Sequence, residues 1–410
     1  MNLKHAAAAL ALTSLVAAGA AQAAPKEITV AIASTFTTLD PYDASDTLSQ
    51  TASKSFYEGL FTFDKDMKVI DALATDYKVS DDGLVYTVTL RKGVKFHDGS
   101  EFQADAVKAN FDRVTNKANG LKRYMLYQNI EKTEVIDPYT VRFTLKKPFS
   151  SFINQLAHPA GVMICPSTLA NKTNKQIAFE PCGTGPYTLD KYNPSEGMRV
   201  VKNPNYWQAG FPKLDAINWK PVVENSTRVA MLLTGEAQFA FPLPAEQVKQ
   251  VQGKDQVRLD ITPSIILRYV EMNMSKKPFQ DKRVREALNY AINKEALCKV
   301  AFAGYADPAT GYAPAAIDFA EKLGPWPYDP KKARELLKEA GYGSGLTINL
   351  WSGYNHTTAQ KVIQFLQQQL AQVGIKSNIR ALEAGQRTAL VESVPTPDKS
   401  QHALYYIGWS

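Results

Sequence analysis

Arg268, Arg123 and the pair Asp46-Thr47 are the residues whose type and setting suit ligand chemistry in this 410-residue chain. Arg268 heads a run, Arg268–Met274, that carries no turn residue and reads as a straight strand. A guanidinium is a planar fork that matches a carboxylate with two parallel N–H bonds. Arg268 is therefore either a clamp on an anionic ligand or the partner of a nearby acid. Arg123 follows the turn Gly120-Leu121-Lys122 and is either a ligand cation or a solvated loop charge. Asp46 and Thr47 precede the first helix. They suit an ammonium and an amide, and equally suit a helix N-cap. Tyr124, Phe241 and Trp409 are aromatics that either wall a site or fill a core. His97, in a turn, and His158, before a Pro, read as structural.

Catalysis finds little support. There is no GxSxG, HExxH or P-loop. Gly341-Tyr342-Gly343-Ser344-Gly345 is glycine-rich but lies between a helix and a following strand, the wrong order for a dinucleotide fingerprint. No CxxC or HxxxH spacing points to a metal, and no cofactor is implied. A periplasmic hydrolase stays as the rival of a different class.

The first residues read as an export signal: Lys4, an apolar run from Ala6 to about Ala18, and the small-x-small ending Ala21-Gln22-Ala23. The apolar run is shorter than the ~20 residues a spanning helix needs. Residues 1–23 are thus expected to be removed after Ala23, leaving a soluble periplasmic protein. Loss of Lys4 lowers the formal charge from +7 to +6. Lys and Arg are scattered rather than clustered, which argues against nucleic acid. In an oxidising compartment Cys165 and Cys182 are close enough to close a small loop, typically worth ~3 kcal/mol. Cys298 reads as a buried free thiol.

A chain longer than the ~250–300 residues at which single cores stop growing is expected to form two lobes. Glu27–Ala33 alternates as a first strand, followed by a loop at Leu39-Asp40-Pro41 and a helix through about Phe56. An α+β block follows: strand Val85–Leu90, helix Ala104–Val114, a hairpin Thr133–Lys146 folded at Asp137-Pro138, and helix Phe149–Leu156. Then come helix Asn225–Thr234, strand Ala237–Phe241, the straight strand from Arg268, and helix Asp281–Ile292. The remainder is regular α/β: a helix between Asp329-Pro330 and Gly341, strand Leu346–Trp351, helix Thr357–Val373, strand Ile375–Ala381, helix Gln386–Glu392 and strand Ala403–Ile407. The final Tyr405-Tyr406-Ile407-Gly408-Trp409-Ser410 reads as a buried strand entering a turn, which predicts that the chain continues past Ser410.

Six ordered stretches together resemble the peptide-type (cluster C, family 5) solute-binding proteins of ABC importers. They are Thr38-Leu39-Asp40-Pro41, Leu90 to Gly99, Gly183-Thr184-Gly185-Pro186-Tyr187, Asn203-Pro204-Asn205-Tyr206-Trp207, Arg283 to Ile292, and Tyr328-Asp329-Pro330 with Ala340-Gly341-Tyr342. Leu121-Lys122-Arg123-Tyr124, Ala301 to Ala306 and Gln367 to Lys376 are most similar to the glutathione-binding members. The resemblance implies a two-lobed type II periplasmic-binding-protein fold. Lobe I would span 24–267 with an α+β insert at about 55–180, and lobe II, incomplete, 268–410. It further implies a monomer that captures its ligand in the interlobe cleft and delivers it to an inner-membrane permease. An acidic segment and the return to the first lobe would lie beyond Ser410.

Glutathione carries two carboxylates, an ammonium, a thiol and two amides. Its receptor needs one or two cations, an acid and several dipoles. The ligand-binding candidates are Asp46, Thr47, Arg123, Tyr124, Phe241, Arg268 and Trp409, with Cys165 and Cys182 as a disulfide. Ser352-Gly353-Tyr354-Asn355-His356 lacks the Arg that dipeptide binders place there, which argues against a plain dipeptide. Di- or oligopeptides and a nickel or haem-like chelate remain the alternatives within the class.

Overall fold

A computed structural model describes residues 26–314, 317, 320–321 and 323–409. The export signal expected at residues 1–23 and the final Ser410 lie outside the described residues. No helix among the described residues is long and apolar enough to cross a membrane. The chain divides into two compact units. One takes in the chain up to Val222 together with Ala237–Phe239; the other takes in Val223–Glu236 and the chain from Ala240.

The first unit holds two main sheets. In one, strand Glu27–Ile32 pairs in parallel with Ala216–Pro221, which pairs with the hairpin Gly197–Lys202 and Tyr187–Asn193. The other is antiparallel, in the order Ala74–Val79, Val85–Leu90, Thr140–Leu145, Ile130–Asp137. Its middle strands alternate buried and less buried residues, as period-two side chains on a one-sided sheet must. Helix Ala104–Thr115 covers the buried face with Ala104, Val107, Phe111 and Val114. Phe111 meets Phe143 edge-on at 5.0 Å, and Phe143 meets Phe152 at 5.5 Å. All three rings are fully buried. Truncating one would cost about 3–5 kcal/mol. Cys165 and Cys182 form a disulfide in this unit.

The second unit is built on a four-stranded sheet in the order Leu267–Met272, Leu404–Trp409, Leu346–Ser352, Ile375–Ala381. The last two strands are parallel and are joined by helix Thr357–Ala371, the crossover that parallel pairing demands. That helix buries Ala359, Val362, Ile363, Leu366 and Leu370, a 3.6-residue stripe. Phe365, one residue before Leu366, is only half-buried. Asp281 and Asp329 cap the helices Lys282–Ala291 and Pro330–Glu339, with Pro330 in the first turn.

Several expectations need correction. The first helix is Thr47–Ser53, and the chain reaches Phe56 by tighter turns: the N–H groups of Lys54, Ser55 and Phe56 bond carbonyls three residues back. The helix expected from Phe149 begins at Phe152. The one expected at Gln386–Glu392 is a turn Ala384–Arg387 running into a wider π-type turn, Thr388–Glu392. Strands Phe61–Phe63 and Val69–Asp71 are too short to carry a period, and Ala74–Val79 is exposed beyond Ala74, so none of the three was read from the sequence. Cys298 is half-buried rather than buried.

Candidate functional site

The sequence motifs of the first unit converge on one half-buried carboxylate. Glu58 accepts from Tyr206 O–H at 2.6 Å, Trp207 Nε1–H at 2.9 Å and Thr184 Oγ–H at 2.9 Å. Burial raises the Glu58 carboxyl above the usual range, and these three donors pull it partly back. The Arg91 guanidinium lies 4.5 Å from the Trp207 ring centroid and donates Nε–H to the Ala72 carbonyl at 2.8 Å. His97 Nε2–H donates to the Gly185 carbonyl at 2.9 Å while its Nδ1 accepts from Gly183 N–H, so the ring is neutral and structural. Gly185 is required because a Cβ there would lie 2.4 Å from the Phe56 backbone. Asp40 is similarly consumed: it pairs with Arg113 and accepts from Tyr42 N–H. Among the described residues these contacts tie the motifs together as the framework of the unit.

Asp46 is the N-cap of helix Thr47–Ser53, its carboxylate accepting from Ser49 N–H at 2.8 Å and from the Thr37 hydroxyl at 2.5 Å. Thr47 is exposed as the first helical residue. Arg123 leads into the turn Tyr124–Tyr127; its N–H bonds the Tyr42 carbonyl at 3.1 Å and its Nε–H the Ala44 carbonyl at 2.9 Å. No carboxylate lies within ion-pairing distance of Arg123 among the described residues. Burial lowers the affinity of this guanidinium for its proton, and the charge of Asp46 opposes that. His158 feels the same cation: burial and Arg123 drive its pKa down to about 4, and Nδ1 accepts from Ala160 N–H at 3.0 Å. The first unit thus gathers Asp46, Arg123 and His158 into one electrostatic neighbourhood. Tyr124 is half-buried, beside Arg123 in the chain.

In the second unit Arg268 sits on strand Leu267–Met272, opposite Gly408 of the neighbouring strand. Its guanidinium carbon lies 4.6 Å from the centroid of the Tyr354 ring, and a Cβ on Gly408 would come within 2.5 Å of Arg268 Nη1. Tyr354 Oη accepts from Gly408 N–H at 3.1 Å. No acid pairs with Arg268 among the described residues. His356 caps helix Thr357–Ala371, its Nδ1 accepting from Ala359 N–H at 3.2 Å. Burial and the Arg268 charge lower its pKa, so it stays neutral at neutral pH. Glu246 and Arg228 also act on His356. Arg228 is buried and donates to the carbonyls of Val223 and Pro242, the latter just after Phe241, whose side chain is exposed. Trp409 belongs to strand Leu404–Trp409, and its side chain lies outside what is described.

Sequence reading missed Glu58, Tyr354, His356, Arg228 and Glu246. The signal for His356 was available: it stands one residue before an amphipathic run, where a cap belongs. Asp98 lies beside Cys165 and Cys182, but with the thiols joined this trio offers no metal site.

Parallel and antiparallel sheets flanked by helices carry, among the described residues, guanidiniums held without a carboxylate partner, an arrangement suited to binding an anionic ligand. The family model for bacterial extracellular solute-binding proteins, family 5 (middle), matches residues 68–410, and the chain belongs to that family. It is 60% identical over 403 residues to the glutathione-binding protein GsiB of Salmonella choleraesuis, covering 98% of this chain and 78% of that one. It is 59% identical over 387 residues to the GsiB of Escherichia coli O1:K1, covering 94% and 75%. Among solved structures, the periplasmic binding protein DppA of Helicobacter pylori in complex with a peptide matches with a TM-score of 0.84 at 30% identity, covering 93% of this chain and 78% of that one. A dipeptide-binding protein from a Pseudoalteromonas species, in complex with Met-Leu, matches at 0.85 and 26% identity, covering 94% and 80%. The chain has the type II periplasmic-binding-protein fold, as these neighbours do.

Proposed function

We propose that this chain is a periplasmic receptor that captures glutathione and delivers it to an ABC permease in the inner membrane. The observation that carries the reading is 60% identity to a glutathione-binding protein across 98% of the chain. Its chemistry supports it: glutathione brings two carboxylates, and Arg123 and Arg268 are two guanidiniums that no carboxylate neutralises among the described residues. We assign those two arginines to the ligand carboxylates. Asp46 is committed as a helix cap, so its part is to set the field around Arg123 rather than to bind an ammonium alone. Cleavage after Ala23 and export to the periplasm belong to the same proposal.

A peptide or metal-chelate ligand is the second reading. The dipeptide complex above favours it, and so does a likeness to NikZ of Campylobacter jejuni in complex with Ni(L-His), with a TM-score of 0.82 at 26% identity, covering 94% of this chain and 78% of that one. Calorimetry with glutathione, Met-Leu and nickel–histidine side by side tests both readings. Glutathione is expected to bind most tightly and to be recovered intact. Tighter binding of either rival, or cleavage of glutathione on incubation, overturns the proposal.

A further inference from the structure

We propose that Tyr354 is a positioning residue that aims the Arg268 guanidinium at a ligand carboxylate; this rests on the assignment of Arg268 to the ligand. An arginine on a strand is a flexible side chain, and a mobile fork meets a carboxylate poorly. Here the guanidinium lies over the Tyr354 ring at 4.6 Å from its centroid and against Gly408, where no Cβ intrudes. The ring is itself held at several points. Its hydroxyl accepts from Gly408 N–H at 3.1 Å. Tyr354 N–H donates to Ser352 Oγ at 3.0 Å, and Ser352 Oγ–H returns a bond to the Tyr354 carbonyl at 2.7 Å. Tyr406 meets the ring edge-on at 6.1 Å.

Arg268 shares this placement with Arg91 and Arg380, which lie over Trp207 at 4.5 Å and Trp351 at 5.4 Å, and differs from the acid-paired arginines. Arg113, Arg199, Arg283 and Arg387 each lie against a carboxylate. Arg268 is placed by an aromatic face and by missing bulk, neither of which cancels its charge. A cation fixed in direction but left unneutralised is suited to an anion from outside the chain. The loop Ser352–His356 thus contributes no cation of its own and works by directing one from the neighbouring strand.

The test is calorimetry on Tyr354→Leu, Tyr354→Phe, Arg268→Ala and the Tyr354→Leu/Arg268→Ala double variant, with glutathione and its two monoamides, alongside thermal melts. Tyr354→Leu is expected to weaken glutathione binding about fivefold, as loss of a cation–π contact and of side-chain order does. Tyr354→Phe keeps the ring and stays close to the wild type. The double variant is expected to be no weaker than Arg268→Ala alone, because neighbours acting as one unit are not additive. One monoamide should be insensitive to both substitutions, which a merely structural tyrosine would not produce. Additive losses, equal losses for all three ligands, or unchanged binding in Tyr354→Leu overturn the positioning role. Failure of the wild type to bind glutathione overturns the ligand reading instead. In that event NMR relaxation of the Arg268 Nε–H in wild type and Tyr354→Leu decides the positioning role, which unchanged order would refute.

Discussion

Glu58 in the first unit and Arg268 in the second are opposite solutions to holding a charged group. Glu58 is engaged by three donors drawn from two sequence motifs, so its carboxylate is already hydrogen-bonded within the chain. Arg268 is held by a ring and a bare backbone, with its charge uncancelled by any described acid. The motifs that make the family legible are therefore architectural, while the groups suited to ligand lie outside them. A satisfied polar cluster stabilises; an oriented, unsatisfied one binds.

Replacing Glu58 should have the largest effect. Glu58→Leu strands the Tyr206, Trp207 and Thr184 donors and is expected to cost about 3–5 kcal/mol in urea unfolding. A loss under about 1 kcal/mol would show that the cluster is not the structural centre of its unit. Because its carboxyl is raised, Glu58 favours the folded state at low pH and gives up that contribution as pH rises through its folded value.

The histidines run the other way. His97, His158, His356 and His402 all have lowered pKa values, chiefly through burial. Their contribution is present above the ordinary value of 6.5 and is lost as pH falls, for His158 down to about 4. Unfolding at pH 7 and pH 4 should differ by about 2–3 kcal/mol on account of His158, and His158→Gln should flatten the slope. A slope identical in the variant would remove His158 from this account. Reduction of Cys165–Cys182 reopens a loop of sequence separation 17 and is expected to cost about 3 kcal/mol, read as a lower melting temperature in reductant.

On the binding side, Arg268→Ala should weaken glutathione at least tenfold, about 1.4 kcal/mol, without lowering the melting temperature. A fall in melting temperature with unchanged affinity would reverse the comparison between the two regions. Arg258 supplies the floor. It pairs with Asp260 in open solvent, and Arg258→Ala should alter neither stability nor binding beyond error.

Much of the second unit was legible. Alternation, a 3.6-residue stripe and capping acids mark Leu346–Ser352, Thr357–Ala371, Ile375–Ala381 and Pro330–Glu339 closely, because each is a local pattern. The short strands Phe61–Phe63 and Val69–Asp71 were not, since three residues carry too little period to read. At the candidate site, Arg123 and Arg268 were picked out by being charges in unusual places. Tyr354 was passed over because an aromatic in a loop has no period and its role depends on what lies across from it; His356 was passed over although its place just before an amphipathic run marks a cap.

By itself, then, the sequence determined the family, the α/β order of the second unit, the capped start of the helix at Asp329-Pro330 and the two arginines worth testing. Each is set by neighbours within a few residues or by motifs kept in order. Only the tertiary structure decided that the motif residues spend their polar groups on one another, that Asp46 is a cap, and that Arg268 lies between Tyr354 and Gly408. Those outcomes turn on contacts such as Glu58 with Tyr206 or Arg268 with Gly408, separated by more than a hundred residues along the chain. No local propensity encodes such pairings; packing and the geometry of the sheets select them.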